Sequence, residues 1–173
     1  MKKWMMGMMA AACLFLAACG GSDKTKDVPT ADLAAAVQEA YGENFAATAE
    51  TPEEYLEELY GVKLDDLEEY TASMSMISVN PDQMLIVKAK EGKADAVEEA
   101  LNQAKENLIA NTFTYPMNQA KVNATTVVRE GNYIALFMLG QADMESETDE
   151  EAKEFAEAQV QIAVDTFRKA LTE

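Results

Sequence analysis

The chain contains no histidine, and both its cysteines, Cys13 and Cys19, fall within the first nineteen residues. Imidazole acid–base chemistry and His-ligated zinc, copper or haem are excluded throughout. Beyond Cys19, disulfides, thiol nucleophiles and thiolate metal sites are excluded as well. Cations are scarce: 14 Lys and Arg stand against 31 Asp and Glu, a formal net charge of −17. Lys2 and Lys3 belong to the leader, so the remaining chain has twelve cations against 31 acids, or −19. No basic stripe is available for phosphate, which argues against nucleic acid as a partner. No polybasic patch is available for anionic lipid either. An acidic surface of this kind keeps a protein soluble and monomeric.

What is present begins with the leader. Lys2 and Lys3 precede an apolar stretch over residues 4–18, too short at ~1.5 Å per residue to cross a ~30 Å hydrocarbon core. No second apolar run of that kind follows. Leu16-Ala17-Ala18-Cys19 resembles the lipobox of bacterial lipoproteins. That resemblance implies a thioether-linked diacylglycerol on Cys19 and removal of the peptide before it. The chemistry needs sulfur at the cut, and small residues before it admit the peptidase. The expected organisation is a signal peptide over 1–18, lipidated Cys19 with a flexible tether over 19–29, and one domain over 30–173. This places the protein on the extracytoplasmic face of the cell membrane, with the membrane, through its lipid, as the first partner.

The domain reads as α+β. A helix is expected over 30–41, with Thr30 as cap and Gly42 as stop. Thr51-Pro52-Glu53-Glu54 has the pattern of a capping box before a second helix ending at Gly61. Residues 70–79 then alternate as a strand, with Ala72, Met74 and Met76 on one face and Ile77 and Val79 on the other. Asn80-Pro81-Asp82 is a turn, and 84–89 is a strand apolar on both faces and therefore central. A helix over 93–110 carries a stripe of Ala94, Val97, Leu101, Ala104 and Leu108. Residues 111–122 read as irregular, and 125–129 and 133–139 as a hairpin through Gly131-Asn132. A second capping box, Thr148 to Glu151, opens a final helix whose apolar face spans roughly 200°, wide enough to touch both sheet and helix. The expected sum is α-α-β-β-α-β-β-α: a four-stranded antiparallel sheet of two hairpins, packed with helices.

Several segments carry a resemblance. They are Ile77-Ser78-Val79, Leu85 to Lys93 (LIVKAKEGK), Thr112 to Asn118 (TFTYPMN) and Gly131 to Gly140 (GNYIALFMLG). With their surroundings, from about Thr30 to Leu171, they resemble the lipoproteins of domain of unknown function 4358, found mainly in Gram-positive anaerobes. The resemblance implies an anchor in the outer leaflet of a cytoplasmic membrane. It brings no catalytic residue, ligand, cofactor or partner.

Four groups of residues are candidates for chemistry. Asp143, Glu145, Glu147 and Asp149, with Glu154 where a bidentate ligand would fall, have the alternation of a calcium loop. Thr148 stands where that loop needs glycine, so the pattern also fits an acidic run before a helix N-terminus. Carboxylate pairs such as Asp65/Asp66, Glu68/Glu69 and Glu98/Glu99 are candidates for acid–base work. Adjacent residues do not face each other on a helix, however. Met74, Met76, Met84 and Met138 suggest a soft cuprous site or, more simply, core filling. Phe113, Tyr115 and Met117 lie in the long irregular segment, where Tyr115-Pro116 is expected to pack over a sheet edge. As an alternative they form a recognition loop. The inventory favours a non-enzymatic, lipid-anchored binding or interaction module without a cofactor. A carboxylate-dependent hydrolase at the cell envelope is the alternative.

Overall fold

The computed structural model describes residues 25–77 and 79–173; Cys19 and the lipobox residues Leu16, Ala17 and Ala18 lie outside them. Five strands form one antiparallel sheet in the order β1-β2-β3-β5-β4. These are β1 (Ala49–Glu50), β2 (Leu67–Met74), β3 (Gln83–Ala89), β4 (Thr126–Glu130) and β5 (Tyr133–Met138). The helices are α1 (Thr30–Tyr41), α2 (Glu54–Glu58), α3 (Ala94–Asn111), α4 (Pro116–Asn123) and α5 (Asp149–Thr172). The α+β class and both hairpins are as expected, and the sheet has a fifth strand. That strand is only two residues long, too short for alternation to reveal.

β3 and β5 occupy the middle because their sequences are apolar on both faces, QMLIVKA and YIALFM. Met84, Ile86, Ala135 and Phe137 point to one side, where α1 and α5 cover them with Leu33, Val37, Val164 and Phe167. Leu85, Val87, Ile134, Leu136 and Met138 point to the other, under Leu56, Val97 and Leu101. Each of these side chains larger than alanine contributes roughly 1.5–3 kcal/mol by leaving water. The result is three layers with an apolar core on each face of the sheet. The broad apolar face of α5 meets α1, α4 and the sheet at once, as its width predicts.

Local signals fared unevenly. At α5 the capping box forms in full: Thr148 Oγ1 accepts from Glu151 N at 3.2 Å, and Glu151 Oε2 accepts from Thr148 N at 3.1 Å. Replacing Thr148 with Ala is expected to cost about 1 kcal/mol, read as a lowered urea midpoint. A midpoint equal to the parent's would show the cap to be idle. The Thr51 box does not form; α2 starts at Glu54 without a side-chain cap. Thr51 is instead drawn into the sheet edge, its N–H donating to Ala72 O at 3.1 Å. Thr30 likewise does not cap α1, whose N-cap is Pro29. Its hydroxyl lies 3.0 Å from that of Thr71. Gly42 does stop α1, with φ +54°. β2 ends at Met74, so Met76 and Ile77 leave the sheet, and the expected irregular segment contains α4.

Residues 25–29 are held against one end of the domain, five residues before the expected start. Lys26 N donates to Leu171 O at 2.9 Å, and Val28 N donates to the Tyr133 hydroxyl at 3.0 Å. Asp27 meets Lys88 at 2.9 Å and accepts from Tyr133 at 3.0 Å, and these bonds hold its carboxyl below the usual range. This end also carries the start of α1 and the finish of α5.

Candidate functional site

The opposite end of the sheet differs in character. β2 finishes there at Met74 and β5 at Met138, α3 ends, and α4 and α5 begin. The β2–β3 loop and the α3–α4 loop meet at this end and leave large apolar side chains in solvent. Ile77 is 60% exposed, Val79 46%, Tyr115 54% and Phe113 99%. Met76, Met117 and Met144 are exposed nearby in the chain. Isolated apolar side chains at a surface are ordinary, but a contiguous patch marks an interaction site. A groove of about 550 Å³ runs between the two loops, bounded by Ile77, Val79, Tyr115, Met117 and the segment after β5 from Gly140 to Ala142.

A polar cluster underlies this apolar rim. Lys121, on the inner face of α4, is only 4% exposed and Asp82 only 2%. Lys121 Nζ donates to Asp82 Oδ1 at 2.6 Å and to Asn80 Oδ1 at 3.2 Å. Asn80 Oδ1 also accepts from Asp82 N at 3.1 Å, so the Asn80-Pro81-Asp82 turn aims the carboxylate at the helix. Asn118, one turn before Lys121, donates from Nδ2 to Val79 O at 2.7 Å and so ties α4 to the β2–β3 loop. That bond fixes the amide orientation and leaves Asn118 Oδ1 buried with no partner among the described residues. Asp82 Oδ2 is in the same position. Burial pushes the Asp82 carboxyl above the usual range, while Lys121 pulls it down. Gly140 N–H also lowers it, although no donor reaches Oδ2 in full hydrogen-bonding geometry. Buried polar atoms are nearly always paired, so two orphaned acceptors in one cluster form a local reserve of unmet bonding.

An acidic rim adjoins the groove. A shallow depression of about 680 Å³ shares Gln141 and Ala142 with it and is bounded by Asp143, Glu145, Glu147 and Glu151. Asp143 Oδ1 accepts from the N–H groups of Glu145 and Ser146 at 3.1 Å each. Bonds from Ser146 and Glu145 hold its carboxyl below the usual range. Among the described residues the only cation on the walls of these two depressions is Lys121, which is already paired.

The sequence candidates fall as follows. Tyr115 and Met117 line the groove, whereas Phe113 does not and stands in solvent in the α3–α4 loop. The expected packing of Tyr115 over a sheet edge is not what the fold does: Pro116 opens α4 and leaves Tyr115 exposed at its N-cap. Of the calcium set, Asp143, Glu145 and Glu147 share the acidic rim, Asp149 starts α5, and Glu154 lies within that helix. No three acidic side chains among the described residues are placed to hold a metal ion. The carboxylate pairs are separated by their partners: Asp66 meets Lys93 at 2.7 Å, Glu68 meets Lys88 at 2.9 Å and Glu98 meets Arg129 at 2.8 Å. Met84 and Met138 belong to cores on opposite faces of the sheet, so the four methionines share no cuprous site. Asn118 and Lys121 escaped sequence reading because α4 did, and Asp82 read only as part of a turn. Once a helix is drawn there, Asn118, Lys121 and Val122 fall at i, i+3 and i+4, one face.

A family model described as "Domain of unknown function (DUF4358)" matches residues 41–139, which include Ile77, Asp82, Asn118 and Lys121. No curated protein and no solved structure matches the chain.

Proposed function

The chain belongs to the domain of unknown function 4358 family, and from that premise we propose a lipid-anchored extracytoplasmic binding module that uses this groove. The observation that carries the reading is the pairing of exposed apolar side chains with buried, unmet hydrogen-bond acceptors in one place. Exposed apolar surface costs solubility, and unpaired buried oxygens each cost about 1–3 kcal/mol. A ligand that covers the apolar side chains and draws the Asn118 amide, which lines the groove, toward its own donors relieves both. The leader and Leu16-Ala17-Ala18-Cys19 support the anchor. The ion-paired, unclustered carboxylates favour binding over hydrolysis, because acid–base catalysis needs one carboxyl desolvated beside an ionised one. Asp82 is desolvated, but its neighbour is an ammonium.

Two measurements on cells test this reading. Changing Cys19 to Ser should abolish labelling of the protein by radioactive fatty acid and leave the leader uncleaved; a processed, membrane-retained product from that variant refutes the anchor. A photo-crosslinking residue at Ile77 should capture one defined species that the same residue at Glu99, on the far end of α3, does not. Identical products from both positions refute the groove.

A further inference from the structure

We infer that the groove receives a cationic, apolar-containing peptide segment of another protein; this rests on the binding-module reading and adds the chemistry of the occupant. Shape comes first. The cavity of about 550 Å³ is bounded by Ile77, Val79, Tyr115 and Met117 and stays open along its length. It accommodates a few apolar side chains presented by an extended or helical segment. Small molecules, by contrast, are usually enclosed over most of their surface. Met117 lines the groove, and Met144 lines the adjoining depression. Methionine has an unbranched, polarisable side chain that adapts to different apolar partners, which suits a peptide surface.

Charge decides the sign of the partner. The protein carries −17 in all. Asp143, Glu145 and Glu147 border the apolar strip, while Lys121 is neutralised by Asp82 beneath it. A segment with Lys or Arg flanking its apolar residues finds counter-charges on that rim, and an acidic segment meets repulsion. Asn118, on the groove wall, keeps an oxygen without a partner among the described residues, and ammonium, guanidinium and backbone N–H groups can supply donors where lipid tails cannot.

Orientation argues against the bilayer as occupant. The stretch leading to the anchor is pinned at Tyr133, at the start of β5, and the groove reaches Gly140, seven residues on and two past the end of that strand. At ~3.4 Å per residue that separation is roughly 24 Å. The acidic rim would also repel anionic headgroups. The groove therefore points away from the surface that carries the protein.

The test uses the full lipidated chain in phosphatidylcholine discs, with protein-free discs as the baseline. The probe is a labelled peptide of alternating lysine, leucine and phenylalanine, and its counterpart has glutamate for every lysine. Fluorescence anisotropy should show the lysine peptide binding about tenfold or more tightly than the glutamate peptide, with affinity falling as salt rises. Ile77→Asp should abolish binding without moving the urea midpoint, since Ile77 is already exposed. Glu147→Lys should weaken the lysine peptide and strengthen the glutamate peptide, while Glu99→Lys should do neither. Equal affinity for both peptides, absence of binding, or binding that survives Ile77→Asp overturns the inference. So does groove-dependent attachment to phosphatidylglycerol vesicles without peptide binding. A captured partner at Ile77 that proves acidic would sink this occupant and leave the binding-module reading intact.

Discussion

Lys121→Met is expected to destabilise the domain by about 3–5 kcal/mol at neutral pH, the cost of leaving one member of a buried pair alone. Lys121 and Asp82 are 4% and 1% exposed at their side chains and 2.6 Å apart. Without the ammonium, Asp82 has an ionised carboxylate in the interior and one oxygen that was unpaired from the start. The pH dependence identifies the cause. Burial already raises the Asp82 carboxyl above its usual range, and Lys121 is the main influence lowering it. In the variant the folded-state pKa therefore rises further above the unfolded value of ~3.9. Between those two values the folded chain binds a proton that the unfolded chain has released. Stability then falls as pH rises through that window and recovers as pH drops. The loss should thus shrink between neutral pH and about pH 4, measured by urea unfolding across that range. The double variant Asp82→Leu/Lys121→Met should be more stable than Lys121→Met alone, although it carries one more change. A pH-independent loss, or strictly additive singles, would mean that packing rather than charge holds this cluster.

That pair also shows where the sequence stopped being readable. The apolar runs of β3 and β5, the stripe of α3 and the Thr148 capping box all lie within single short windows, where period and cap chemistry decide the outcome. Those elements appear within a residue or two of expectation. The failures depend on distant partners. Thr51 and Thr30 both have capping chemistry, yet Thr51 is claimed by Ala72 and Thr30 by Thr71 and Glu69. β1 exists only because Met74 and Ser73 offer it an edge. α4 was hidden by its composition: PMNQAKVN has a weak apolar pattern, and its inner face is held by Asn118 and Lys121. A buried lysine reads as surface until its aspartate is found 39 residues away. Of the site, the loop of Phe113, Tyr115 and Met117 was legible as an unusual concentration of apolar side chains in an irregular stretch. Its other wall was not, because Ile77 and Val79 continue the alternation of β2 and look like more strand.

Gly140→Ala is expected to be nearly as damaging, and for a separable pair of reasons. Gly140, two residues past the end of β5, turns the chain into the groove wall with φ +139°, a conformation that side-chain-bearing residues rarely adopt. Strain of that kind costs of order 1–3 kcal/mol. A methyl group there would also lie 2.6 Å from Gln159 Cβ on α5, inside contact distance. Gln159 has little freedom to retreat: its carbonyl accepts from the Tyr41 hydroxyl at 2.7 Å and its Oε1 from Gln141 N at 3.2 Å. Forcing apart a packed helix and strand adds about 1–3 kcal/mol. Gln159→Gly removes the opposing carbon at a cost of its own near 1 kcal/mol in a helix interior. In the double variant Gly140→Ala/Gln159→Gly the steric part should vanish and the backbone strain remain. The combined loss should then fall short of the sum of the singles by about 1–3 kcal/mol. Full additivity would place the whole penalty in the backbone. A midpoint for Gly140→Ala equal to the parent's would show that the segment joining β5 to the groove can take another path, and the groove wall would then have no fixed shape to offer a ligand.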